Sequence, residues 1–273
     1  MLNYIKFILS KIYPLSHKNY KLDLDRGVYD YGKLINQPND ELINLNFKEL
    51  SILFQTDKSK FLHSVVFSSN ENKYVRSILQ SHNYAEYYEN YFKHVRKDIK
   101  NIIEIGTLTG SSTVVFYFYF CNSKIYCLDI DFSSNKIFSS RIVKQKVDQS
   151  NTKQIRYFLK KYENIKFDII VDDGSHKEKD IISTFREFFN YIQKNGFYII
   201  EDVCYENQPK VLEIFDALIN KNGLNQNDFK DIDLNKIISV EKFKSNQNYF
   251  NINRKKTLQQ YIIFIKFKWK KNF

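Results

Sequence analysis

The sequence predicts an α/β fold: a doubly wound, seven-stranded sheet, mostly parallel with a C-terminal antiparallel strand, plus an N-terminal helical cap. Three observations predict it. From residue 101 onward, short apolar runs alternate with helical stretches, the pattern of βαβ units and a parallel sheet. Several of those runs end in glycine or acid, where a strand passes into a turn. The last two runs, KIISVEKF (236–243) and LQQYIIFIKF (258–267), have no full helix between them, so they read as a closing antiparallel pair.

Up to about residue 95 the pattern is helical and loop-like with no clear strand series. The expected division is therefore a cap region over 1–95 and a second domain over 96–273. The opening MLNYIKFILSKIYPL is apolar and basic, but Lys6 and Lys11 interrupt it and no small-residue cleavage site follows. It reads as an amphipathic helix packed on the body, with contact to a membrane surface as the alternative. No stretch approaches the length of uninterrupted apolar sequence that a transmembrane helix requires.

NIIEIG (101–106) is the first strand of the series. Ser111–Phe120 follows as a helix despite its β-branched and aromatic residues, because it lies between two strands. KIYCLDI (124–130) and the weaker IVKQKV (142–147) are the next strands, and Asn151–Tyr162 the next helix. FDIIVDD (167–173) has the near-continuous apolar character of a strand covered on both faces. Lys177–Lys194 is read as a helix, GFYIIED (196–202) as the fifth strand and Pro209–Asn220 as a helix; 244–256 is read as a mobile loop.

The chain carries 42 Lys and Arg against 31 Asp and Glu, a net charge of +11. That charge raises nucleic acid as a partner. It is set aside because Lys, Asn, Ile, Phe and Tyr are abundant throughout and form no dedicated patch beyond the basic tail FIKFKWKKNF. The three cysteines, Cys121, Cys127 and Cys204, form no C-x-x-C pair and their odd count disfavours a disulfide framework, which points to a reducing, cytoplasmic setting. The sequence leaves open whether the chain forms a homo-oligomer.

Two constellations carry chemistry. In EIGTLTGSS (104–112) a strand ends in a glycine turn and a helix opens with hydroxyl residues, a shape suited to a nucleoside lying across the turn. It lacks the third glycine of G-x-G-x-x-G and the G-K-[ST] of a phosphate loop, which disfavours NAD and nucleotide hydrolysis. Asp129 ends the second strand, where an acid accepts hydrogen bonds from ribose hydroxyls; an ordinary turn with an ordinary acid is the competing account.

The second is FDIIVDDGSH (167–176) together with IIED (199–202). If the two strands are parallel neighbours, Asp173, Glu201 and Asp202 converge on one rim. Three like charges so placed repel unless a cation holds them. Oxygen ligands without nearby cysteine suit a hard ion, Mg²⁺ first, with Mn²⁺ or Ca²⁺ as alternatives. His176 lies three residues beyond Asp173, and imidazole, titrating near about 6.5, is suited to accept a proton at neutral pH. The competing account makes Asp172, Asp173 and Ser175 helix caps and His176 a surface residue. The spacing of Tyr84, Tyr87, Tyr88 and Tyr91 is read as a helix packing face rather than an acceptor platform.

These acids and the glycine turn together resemble a class I S-adenosylmethionine-dependent methyltransferase, whose sheet is Rossmann-like. TDK (56–58), HNYAEYYENYF (82–92), EIGTLTGSS, VDQSN (147–151), DDGSH (172–176) and IED (200–202) are similar to metal-dependent sugar O-methyltransferases of macrolide and polyketide tailoring, the mycinamicin and tetracenomycin-rhamnosyl type. The resemblance implies S-adenosylmethionine and Mg²⁺ as cofactors and a sugar or other small-molecule or glycan acceptor. It implies Asp173, Glu201 and Asp202 as metal ligands and His176 as general base. It further implies that Glu104, Gly106 and Asp129 hold the cofactor's amino-acid end and ribose, while Asp148 and Gln149 border its adenine. Ser59 stands where that family commonly has glycine, and residues 60–81 lengthen the gap between TDK and HNY.

Other functions stay in view. A nucleic-acid methyltransferase would explain the charge, yet the [DN]-P-P-[YFW] motif of exocyclic-amine enzymes is absent. A different small-molecule methyltransferase, a hydroxylase on the same fold, or a non-catalytic binding module are the remaining alternatives; the acid and histidine set argues against the last.

Overall fold

The computed structural model describes residues 39–68, 73–219, 229, 232–251 and 256–268, with two short strand segments at 22–23 and 28–29. The N-terminal amphipathic segment and the end of the basic tail lie outside the described residues. Contacts group the chain into two compact units. One comprises Met1–Asp98, Leu108–Ser123 and Asp131–Ile142, the other Ile99–Thr107, Lys124–Ile130 and Val143–Phe273.

The second unit is built on the expected seven-stranded sheet. Its strands are β5 (Asn101–Ile105), β6 (Lys124–Asp129), β8 (Ile142–Lys146), β9 (Phe167–Asp172), β10 (Ile192–Val203), β11 (Ile237–Asn251) and β12 (Lys256–Phe267). The order is β11-β12-β10-β9-β5-β6-β8. β5 pairs in parallel with both β6 and β9, and β9 in parallel with β10. β12 slots between β10 and β11 and runs antiparallel to both. Strand order therefore reverses between β5 and β9, the switch point beyond whose carboxyl ends ligands bind in open α/β sheets.

Helices α5 (Thr152–Lys161), α6 (Glu178–Phe188) and α7 (Pro209–Ile219) follow β8, β9 and β10. In α5 the buried residues are Ile155, Phe158 and Leu159, and in α6 they include Ile181, Thr184, Phe185 and Phe188, the i, i+3, i+4 spacing of one helical face. Asn151 caps α5, its side chain accepting from the amides of Lys153 and Gln154. These faces meet Ile103, Ile105, Phe167, Ile170, Tyr198 and Ile200 in a continuous apolar core. Phe185 is its hub, edge-on to Phe189, Tyr198, Phe215 and Phe229. Truncating such a ring to alanine costs about 3–5 kcal/mol.

Two expectations for this unit are corrected. The helix expected over 177–194 ends at Phe188; a 3₁₀ turn covers Phe189–Tyr191 and Ile192 already opens β10. Ile192 pairs with Phe167 and a register shift precedes Phe197. Gly196 sits in that bulge because a Cβ there would lie 2.9 Å from the Asp168 carbonyl oxygen. The loop expected over 244–256 is mostly strand: β11 extends to Asn251 and β12 begins at Lys256. β11 lies at the sheet edge, where backbone pairing with β12 needs no apolar side chains, so KSNQN carries no periodic signal.

The first unit contains short strands β1 (Leu22–Asp23), β2 (Val28–Tyr29) and β7 (Ile137–Phe138), and helices α1 (Asn39–Leu42), α2 (Phe47–Leu53), α3 (Ala85–Phe92) and α4 (Ser111–Tyr119). Asn46 and Glu49 form a reciprocal capping box that starts α2. Phe47 of α2 stacks on Tyr88 of α3 at 4.7 Å and meets Tyr119 of α4 edge-on at 5.1 Å. Tyr84 and Tyr88 are fully buried, in keeping with a packing face.

The absence of strands before residue 95 is also corrected. Phe61–Ser68 (β3) and Lys73–Gln80 (β4) form an antiparallel hairpin. It accounts for the long gap between TDK and HNY. His82 donates to the carbonyl of Asp57, Asn83 to that of Ser59 and Ala85 to that of Lys58, so the two motifs meet while the hairpin leaves and returns between them. Among the described residues no helix is long and apolar enough to cross a membrane.

Candidate functional site

The site lies at the carboxyl ends of β5, β6, β8, β9 and β10, and all its residues belong to the second unit. Its floor is a close approach of two turns. Gly106, at φ +80°, follows β5, and a Cβ there would lie 2.1 Å from the Asp173 carbonyl oxygen. Only glycine fits that conformation beside that neighbour. The Asp173 amide donates to the Ile105 carbonyl at 3.0 Å, which seats the turn after β9 directly on the turn after β5.

Asp129, at the end of β6, accepts from the Thr107 amide at 2.7 Å and from its hydroxyl at 3.3 Å. The acid expected at the ribose therefore also fastens the glycine turn. Glu104 is fully buried in β5. Asp148 is half-buried in the turn after β8, where its Oδ1 accepts from the Ser150 amide and hydroxyl; these bonds hold its carboxyl below the usual range.

Gln149 occupies both ends of its amide inside the protein. Its Nε2 donates to Asp172 Oδ1 and its Oε1 accepts from the Ser175 amide, each at 2.7 Å. Gly174 makes room for it, since a Cβ there would lie 2.2 Å from Gln149 Oε1. Tyr198, on β10, donates its hydroxyl to Asp172 Oδ2 at 3.0 Å. Asp172 is thus a buried, doubly hydrogen-bonded carboxyl. Burial pushes it up to about 6, against the two hydrogen bonds and His176, which draw it down.

The two adjacent acids after β9 divide cleanly. Asp172 turns into the protein, whereas the partly buried Asp173 meets His176 and Asp202. One oxygen or nitrogen from each of these three lies within 4.8 Å of the others. His176 Nε2 stands 3.9 Å from Asp173 Oδ1. Helix capping does not account for the group: the N-cap of α6 is Lys177, without a side-chain cap bond, and Ser175 donates its hydroxyl to Asp180. Glu201, nominated with Asp202, is buried and stands outside this cluster.

Both His176 (φ 52°) and Asp202 (φ 58°) have left-handed backbones. For non-glycine residues this costs on the order of 1–3 kcal/mol each and is concentrated at functional sites. At Asp202 it coincides with a register shift between Ile200 and Val203 in the pairing of β10 with β12. The sequence reading missed Tyr198 as a contributor. Its signal was an aromatic with a polar tip in a run of otherwise apolar strand residues.

Asp173 and Asp202 offer the carboxylate oxygens that a hard divalent cation takes, and His176 stands beside them as an imidazole close enough to exchange a proton. The missing side chain of Gly106 is what admits the backbone of Asp173 and Gly174 against the turn after β5, and Asp129 fastens that turn through Thr107.

No family model matches the chain. It is 27% identical over 165 residues to the mycinamicin VI 2''-O-methyltransferase of Micromonospora griseorubida, covering 58% of this chain and 36% of that one. It is 28% identical over 127 residues to the demethylmacrocin O-methyltransferase of Streptomyces fradiae, covering 44% and 31%. The matched stretch thus spans about a third of the length of each of these relatives. Among solved structures, MycE methyltransferase in complex with Mg, SAH and mycinamycin VI superposes with a TM-score of 0.58 at 20% identity, covering 84% of this chain and 55% of that one. The chain therefore has the fold of that methyltransferase and resembles macrolide sugar O-methyltransferases in sequence.

Proposed function

We propose that this protein transfers a methyl group from S-adenosylmethionine to a hydroxyl of a sugar or glycoconjugate, with Mg²⁺ held at Asp173 and Asp202. The observation that carries the reading is the convergence of Asp173, His176 and Asp202 beyond the switch point, beside a turn that only glycine can form. Relatives named as O-methyltransferases of mycinamicin VI and of demethylmacrocin, and a fold neighbour holding Mg and SAH, support the same chemistry.

The sulfonium of S-adenosylmethionine supplies an electrophilic methyl group, and a divalent cation supplies the positive charge that lowers a chelated hydroxyl's pKa. The chain's own residues do the rest. Asp173 and Asp202 would present carboxylate oxygens to the cation. His176 accepts the hydroxyl proton at Nε2, a contribution of typically ~10²–10⁴ in rate. Its 3.9 Å separation from Asp173 lets the carboxylate stabilise the imidazolium that results. Asp129 and Glu104 engage the ribose and amino-acid end of the cofactor, and Gly106 lets its backbone approach. Asp148 borders the adenine, and Gln149 completes that edge while its amide holds the loop bearing Asp173. Alignment of oxygen, methyl and sulfur supplies much of the remaining acceleration.

The test is calorimetric titration of S-adenosylmethionine with Mg²⁺ and then with EDTA, followed by a product-mass screen of nucleotide sugars and glycosides. Micromolar cofactor binding and a product heavier by one methylene support the reading. A correctly folded protein that binds no cofactor overturns it, and a gain of oxygen assigns a hydroxylase.

A further inference from the structure

Gln208 precedes α7 and is 2% exposed, although its side chain is a polar amide. A buried amide is costly unless its donor and acceptor are both used. Here each is used, on the main chain of a different loop. Nε2 donates to the His176 carbonyl at 2.6 Å, and Oε1 accepts from the Cys204 amide at 2.8 Å. Its backbone amide also donates to the Cys204 carbonyl at 2.8 Å, closing the turn that leaves β10.

Those two loops are the ones that carry the cluster. Asp173 and His176 lie on the first, and Asp202 lies two residues before Cys204 on the second. Both loops contain a left-handed non-glycine residue, and such conformations persist only when surrounding contacts over-determine them. Glu178 adds a parallel tie, its Oε2 accepting from the Lys210 amide at 2.6 Å.

We infer that Gln208 is a positioning residue whose amide locks the His176 carbonyl to the Cys204 amide and so sets the spacing of Asp173, His176 and Asp202. The link between the loops stands on geometry; that the spacing serves a bound cation rests on the function proposed above. Gln208 touches neither reacting atoms nor cation.

The test uses the full chain and the variants Gln208→Met and Gln208→Glu. Methionine removes both bonds, whereas glutamate keeps the acceptor for Cys204 and loses the donor to His176. Asn46→Ala, which removes the cap of α2, serves as a control for general destabilisation. Hydrogen exchange of peptides covering 172–178 and 202–207 is measured without ligands, and Mg²⁺ affinity is measured by calorimetry.

The expected result is about tenfold faster exchange in both peptides for Gln208→Met, the effect of losing buried hydrogen bonds. Gln208→Glu should accelerate mainly 172–178, Asn46→Ala should accelerate neither, and Mg²⁺ affinity should fall about tenfold in both Gln208 variants. Wild-type exchange over 172–178 in a folded Gln208 variant overturns the inference. Faster exchange with unchanged Mg²⁺ affinity overturns the positioning role. Faster exchange in both peptides, with no Mg²⁺ binding even in the wild type, refutes the metal reading and leaves the link between the loops intact.

Discussion

Gly106 and Asp173 approach so closely that a methyl group on Gly106 would overlap the Asp173 carbonyl oxygen at 2.1 Å. One residue shapes the turn where a nucleoside would lie, and the other belongs to the carboxylate–histidine cluster. The glycine turn and the cluster are therefore a single piece of backbone packing, joined further by the bond from the Asp173 amide to the Ile105 carbonyl.

Gly106→Ala is expected to damage both functions at once. The left-handed φ and the overlap each oppose a side chain, so stability should drop by about 1–3 kcal/mol. S-adenosylmethionine and Mg²⁺ affinities should fall together in paired calorimetric titrations. Loss of one with full retention of the other would contradict the shared backbone.

Asp173→Ala and removal of the metal by EDTA should have the same outcome. Each is expected to abolish methyl transfer, and the Mg²⁺ binding heat should vanish in the variant. Restoring Mg²⁺ should rescue the EDTA-treated wild type and leave the variant inactive.

His176→Ala should bind S-adenosylmethionine as the wild type does and turn over at least ~10² more slowly. A single-turnover assay on a true acceptor separates these effects. Undiminished turnover would remove His176 from the proton transfer.

Asp172 makes a prediction about pH. Its carboxyl moves from an ordinary 3.8 up to about 6 through burial, so the folded state keeps a proton that the unfolded chain releases. Its contribution is most favourable below the unfolded value and is lost as pH rises through the folded one. The difference is on the order of 3 kcal/mol, at about 1.4 kcal/mol per pH unit of displacement. Asp172→Asn, which still accepts from Gln149, should therefore gain stability relative to the wild type as pH rises from about 4 to 7. Urea unfolding in EDTA across that range checks it; a difference independent of pH would mean the carboxyl titrates normally.

Much of the fold was legible because local patterns are strong where they are repeated. Phe167–Asp172 and Lys124–Asp129 carry the apolar runs of covered strands, and Thr152–Lys161 carries helical spacing behind an asparagine cap. The hairpin of Phe61–Gln80 was missed because its two strands pair only with each other, and their polar residues dilute the alternation. The outer strand over 244–251 was missed because an edge needs backbone partners rather than apolar side chains.

By itself the sequence determined which residues stand at strand ends. Apolar runs must stop where acids begin, and glycine marks turns that no side chain can enter. That put Asp129 after the second strand of the series and set Asp173, Glu201 and Asp202 on one expected rim. Only the tertiary structure decided which of them meet. His176 joins Asp173 and Asp202, Glu201 stays outside, and Asp172 turns inward to Gln149 and Tyr198. Those outcomes depend on left-handed backbones at His176 and Asp202 and on the pairing of β10 with both β9 and β12. Contacts between strands far apart in the chain hold those conformations, and no local sequence signal encodes such contacts.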